Sequence, residues 1–173
     1  MTSILHPAST VHAFPWATAP IGEGRPVERR DPEAEIWFAR GGVEGLTPGD
    51  RQWPACCRSI CLAALDSWGL DVLVDRVGLV VSELVTNALV HAGGGPVRMR
   101  IGRRPGVVRV EVTDGSLTVP RWDVQAGADE DCGRGLLLVG ACGDDFGVAA
   151  ESATRKTVWC EFVVTNLDPG WDQ

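Results

Sequence analysis

DVLVDRVGLVVSELVTNALVHAGGG, residues 71–95, is the stretch on which the fold turns. Asp71 can cap a helix, and Val77, Val80, Val81, Leu84, Val85 and Ala88 then recur at the three- and four-residue spacing of one helical face. Gly93-Gly94-Gly95 end it. On the same helix Glu83, Asn87 and His91 stand four residues apart, each displaced by about 40° round the axis from the last. This polar stripe borders the apolar face instead of opposing it, so its side chains must find partners at the edge of the core. A carboxylate and a carboxamide one turn apart suit a base and a metal ligand, because magnesium takes oxygen ligands and keeps its waters and phosphates. Taken alone, the same stripe also suits a solvated helix edge.

Working upstream, Thr47 followed by Pro48 reads as an N-cap with proline at the first helical position, opening a helix to about Ser67 that Trp68-Gly69-Leu70 closes. Before it, Glu35 to Arg40 reads as a strand ended by the glycines at 41–45. Residues 1–32 carry Pro7, Pro15, Pro20, Pro26 and Pro32 without sustained periodicity and are expected to be a flexible extension. Downstream, Pro96 to Arg103 and Val107 to Thr113 alternate apolar with polar residues about Arg104-Pro105-Gly106, which predicts a hairpin with one face over the helices. Residues 115–132 have no clear period and are long for an idle connection, so a mobile functional loop is expected there. Gly135 to Ala141 predicts a short helix, and Phe146 to Ala149 with Thr157 to Val164 a second hairpin. The domain is expected to span 33–166, with 167–173 as a tail.

The 173 residues, 45% hydrophobic and 23% charged, suit one domain with a real core. A net charge of −7 and a pI near 4.9 argue against a general affinity for nucleic acid or anionic membrane, both of which need clustered Lys and Arg. No apolar run reaches the roughly 18 to 20 residues that span a bilayer, and the start of the chain lacks a signal-peptide pattern, so a cytoplasmic location is expected. The six cysteines are too sparse for a disulfide scaffold and read as free thiols. Cys56, Cys57 and Cys61 lie close together, but no second Cys or His pair follows at finger-like spacing. They suit small apolar positions on a helix.

Two further constellations could carry chemistry. Asp114-Gly115 ends a strand with apolar inward residues; a carboxylate there can accept from an amino group such as that of adenine, and the glycine admits a flat ring. The pair also suits a plain turn. Gly133-Arg134-Gly135-Leu136 opens an apolar helix whose exposed amides would attract phosphate. Gly140 comes too late for a dinucleotide fingerprint, and no P-loop pattern occurs, so a nucleotide would have to bind by another route.

Four segments in order, VSELVTNALVHA (81–92), VTDGS (112–116), GRGLLLV (133–139) and KTVW (156–159), resemble the ATP-binding (GHKL, Bergerat) fold shared by gyrase, histidine kinases and mismatch-repair ATPases. Within it the chain looks like the small stand-alone anti-sigma factors that are also serine protein kinases, in the version abundant in actinomycetes. The likeness covers about residues 34–165. It implies an α/β two-layer sandwich: a mixed, mostly antiparallel sheet with helices on one face and ATP between them under a lid. It implies Asn87 as the ligand of magnesium bridging the ATP phosphates and Glu83 as the general base. Asp114 would read the adenine amino group, with Gly115 beside the ring and Thr157 supporting that end through Asp114 or a water. Gly133 and Gly135, with the loop before them, would form a lid over the phosphates, and Arg134 would touch phosphate unless it is simply solvated. Leu136 is counted with the ATP-binding residues, and His91 matches a histidine often found there, unless it packs locally at the helix end.

The implied partners are a sigma factor, held by sequestration, and an anti-anti-sigma (STAS-type) protein phosphorylated on serine or threonine; a homodimer is also implied. Ser116-Leu117-Thr118 stands where the family's second glycine after Asp-Gly belongs. That departure keeps two other readings open, a nucleotide-gated protein-binding module without transfer and a simple ATPase.

Overall fold

The computed structural model of the protein describes residues 33–41, 45–91, 95–116 and 134–165. The expected extension at 1–32, residues 117–132 of the expected functional loop, Gly133 and the tail lie outside them. In chain order the described elements are β1 (Glu33–Ala39), α1 (Trp53–Ser67), α2 (Val74–His91), β2 (Pro96–Arg104), β3 (Val107–Asp114), α3 (Arg134–Cys142), β4 (Asp145–Ser152) and β5 (Arg155–Val163). The strands make one sheet of order β1-β2-β3-β5-β4 in which every pairing is antiparallel. The expected two-layer sandwich therefore forms, without a parallel pairing among the described strands.

Side-chain alternation divides the sheet into unlike faces. Val97, Met99 and Ile101 of β2, Val108, Val110 and Val112 of β3, and Val158, Cys160 and Phe162 of β5 join one core with the apolar stripe of α2 and with Cys57, Cys61 and Leu65 of α1. The opposite face carries the other parity. There Arg109 Nε donates to Glu111 at 2.9 Å, its Nη1 donates to Glu161 at 3.0 Å, and its guanidinium lies 4.1 Å from the centre of the Trp159 ring. Ion pairing and stacking are how a charged face tolerates burial.

Both long helices begin later than their sequences suggest. Thr47 and Asp50 cap each other: Thr47 Oγ1 accepts from the Asp50 amide at 3.2 Å, while Asp50 Oδ2 accepts from the Thr47 amide and hydroxyl, each at 2.7 Å. This reciprocal box closes a tight turn and a 3₁₀ segment, Asp50–Gln52, before α1 opens at Trp53. Asp71 is not the cap of α2. It lies inside a second 3₁₀ segment, Asp71–Leu73, which has no side-chain cap. The far end of α1 closes as expected: Gly69 takes φ +68° and the Leu70 amide donates to Leu65 O at 2.9 Å.

The cysteines behave as small apolar residues. Cys57 and Cys61 are buried, with Cys61 Sγ 3.5 Å from Met99 Sδ, while Cys56 faces solvent.

Candidate functional site

Three chain segments meet at one end of the sandwich. The C-terminal half of α2 supplies Glu83 and Asn87, both half-buried. Neither side chain makes a hydrogen bond or ion pair within the described residues. A carboxylate at the core edge with no partner is costly unless something else satisfies it. Above them runs the first turn of α3. A Cβ placed on Gly135 would collide with Glu83 Oε2 and stand 3.6 Å from Asn87 Nδ2. The backbone of α3 thus passes so close that any side chain at position 135 would displace the α2 carboxylate. The opening amides of α3 have no acceptor within the helix and are held beside that acid and amide.

The third segment is the end of β3 with the start of β5. Gly95, just beyond α2, lies beside Gly115, so the C-terminal end of α2 and the Asp114-Gly115 step share one end of the fold. Asp114 is directly opposite Lys156 in the ladder. Both are buried, with 3% and 5% of their surface exposed. Lys156 Nζ donates to Asp114 Oδ1 at 2.7 Å and Oδ2 at 2.9 Å, and to Ser116 O at 3.1 Å. Asp114 Oδ1 also accepts from the Ser116 amide at 2.8 Å, closing a turn at the strand end.

Thr157 does not reach this place. Its hydroxyl is 2.8 Å from that of Thr113, on the sheet face away from the helices. Successive strand residues point to opposite faces, so the residue that can support Asp114 is Lys156, not its neighbour. The expected Thr157–Asp114 contact is therefore replaced by an ion pair. Counting back from core-facing Val158 in steps of two would have found Lys156 in the sequence.

Of the remaining expected residues, Leu136 packs its side chain into the core and leaves only main chain for a ligand. Arg134 opens α3, Gly133 lies outside the described residues, and His91 ends α2 exposed and without a partner among the described residues. A residue that no local pattern announced fixes the distance between α2 and α3. Arg76, on α2, donates from Nε to Cys142 O at the end of α3 at 2.7 Å, and from Nη2 to Asp144 at 2.9 Å. Asp144 in turn accepts from the Val163 amide at 2.8 Å. Burial works to raise the Asp144 pKa, but the Val163 amide and Arg76 outweigh it and hold the carboxyl below its usual range.

An unpartnered acid and amide, a row of opening helix amides and a buried carboxylate at a glycine step can together hold an anionic group at one end and a flat polar ring at the other. The donor set also fits magnesium, since the Asn87 carboxamide offers an uncommitted oxygen beside a carboxylate. Among the described residues no cluster of three or more His, Cys, Asp or Glu competes as a metal site. No helix among them is long and apolar enough to cross a membrane. Residues 51–162 match the family model described as the histidine kinase-like ATPase domain. No curated protein matches the chain significantly.

Proposed function

The chain belongs to the histidine kinase-like ATPase domain family, and from that premise we propose that it is a magnesium-dependent, ATP-binding regulator that phosphorylates a partner protein on serine or threonine. The observation that carries this is the unpartnered Glu83–Asn87 pair beneath the Gly135 turn of α3. Asn87 would hold magnesium, which when bound would supply positive charge to offset that on the phosphoryl oxygens. The opening amides of α3 bind the same phosphates, and Asp114 receives the base. Glu83 takes the proton of an attacking hydroxyl as the new O–P bond forms and the bond to the β-phosphate oxygen breaks, releasing ADP.

The motif order favours an anti-sigma role: the phosphorylated partner is an anti-anti-sigma protein of STAS type, the sequestered one a sigma factor, and the working unit a homodimer in the cytoplasm. The absence of a second glycine after Asp114-Gly115, where Ser116 follows, favours one second reading, a nucleotide-gated binding module with no transfer. Incubating the protein with γ-labelled ATP, magnesium and candidate STAS partners separates them. Label on partner serine, lost in Glu83→Ala and Asn87→Ala, supports the kinase; ATP binding without label in wild type refutes it in favour of the binding module. Phosphate release without any partner would point to a simple ATPase.

A further inference from the structure

The proposed nucleotide site contains a group that its role does not use: the buried ammonium of Lys156. We infer that Lys156 is a base-reading residue and that, with Asp114, it makes the pocket accept guanine nucleotides as well as adenine ones. This rests on the reading of this end of the fold as a nucleotide site.

A carboxylate alone at a base pocket favours adenine, whose amino group donates to it, and repels guanine, whose O6 would face negative charge. Here the carboxylate does not stand alone. All three Nζ protons are placed: two on Asp114, at 2.7 and 2.9 Å, and one on Ser116 O at 3.1 Å. The last is the longest contact and goes to a backbone carbonyl, so it is the one that a ligand acceptor replaces at least cost. Asp114 Oδ1 is committed twice, to Lys156 and to the Ser116 amide, whereas Oδ2 accepts only from Lys156 among the described hydrogen bonds and keeps a lone pair for a ligand donor. The buried pair therefore sets a cationic donor next to an anionic acceptor.

Guanine and hypoxanthine match that pair with O6 on Nζ and N1–H on Oδ2. Adenine matches it with N1 on Nζ and its amino group on Oδ2. The carbonyl O6 is the better acceptor for a cation, so the lysine removes the basis for excluding 6-oxopurines. The pair lies on the helix-facing side of the sheet, next to Gly115, which has no side chain to oppose a flat ring.

Calorimetric titration of the full chain with ADP, GDP and IDP, each with magnesium, tests this in wild type, Lys156→Met and Lys156→Gln, with circular dichroism to check that each variant is folded. GDP and IDP binding within about tenfold of ADP in wild type is expected, because a matched charged hydrogen bond carries at least that factor. Lys156→Met should weaken GDP and IDP relative to ADP by about tenfold or more, and Lys156→Gln, which keeps a donor without the charge, should recover part of the loss. ADP binding with GDP more than tenfold weaker in wild type overturns the inference and leaves the nucleotide site standing. So does an ADP-to-GDP ratio that is the same in wild type and folded variants. If no nucleotide binds wild type, the inference and the site fall together. Should Lys156→Met not fold, the wild-type ratio and Lys156→Gln decide.

Discussion

Replacing Lys156 by methionine keeps most of the side-chain stem and removes the ammonium, leaving Asp114 buried at 3% exposure with its main counter-charge gone. Asp114 would retain only the Ser116 amide at 2.8 Å among its described bonds. Breaking a buried pair by deleting one partner costs about 3–5 kcal/mol, because the survivor is desolvated without compensation. For a domain of this size each kcal/mol lowers the melting temperature by roughly 3–4 °C, so the variant should melt roughly 9–20 °C below wild type. Asp114→Ala should cost as much for the mirror-image reason. The double variant Asp114→Ala/Lys156→Met buries no uncompensated charge and should recover to within about 2 kcal/mol of wild type, since the pair's own net contribution is small. Thermal melts and urea titrations on the four proteins give a coupling energy, expected to exceed about 2 kcal/mol. Additive single effects, or a Lys156→Met shift under about 3 °C, would refute the view that this pair is a desolvated, mutually dependent unit.

Gly135→Ala places a methyl against Glu83 Oε2, the far end of a flexible side chain, which can swing aside. Stability should stay within about 1 kcal/mol of wild type, the helix gain of alanine offsetting the move, while phosphoryl transfer drops by about 10²-fold as the base is displaced; unchanged transfer in quench-flow assays argues against Glu83 as the base. Asp50 gives a pH signature. Hydrogen bonds from the Thr47 hydroxyl and then from the Gly41 and Thr47 amides hold its pKa below the ordinary 3.8, so the unfolded chain binds that proton first. Its contribution is full above that value and is lost as pH falls through the depressed one. Asp50→Asn should flatten the fall in melting temperature below about pH 4; an unchanged slope counts against the cap. Burial pushes the Cys57 and Cys160 thiols up to about 12 and raises that of Cys61 as well. Peptide mapping after iodoacetamide should find Cys56 alkylated long before these three, and prompt labelling at 57 or 160 under native conditions would contradict their burial.

Local periodicity sufficed for much of this architecture. The α2 stripe, both hairpins and the short α3 rest on spacing and glycine breaks between neighbouring residues, so they are legible in the chain itself. So were the residue types at the site, since Glu83, Asn87 and Asp114 are polar groups in otherwise apolar patterns. Helix starts were less legible, because the Thr47–Asp50 box and the Asp71–Leu73 segment choose between turn geometries of similar energy that tertiary contacts settle.

Which faces are apolar and which polar residues border them follow from the 3.6- and 2-residue periods and are encoded locally. The choice of contacts between elements came with their docking. Register put Lys156 instead of Thr157 opposite Asp114, a one-residue choice that changes the face and replaces a hydroxyl with an ion pair. Packing of α3 on α2, held by Arg76 at a partner 66 residues away in sequence, brought Gly135 onto Glu83. Contacts between distant segments depend on how whole elements dock, and no spacing within one element encodes that.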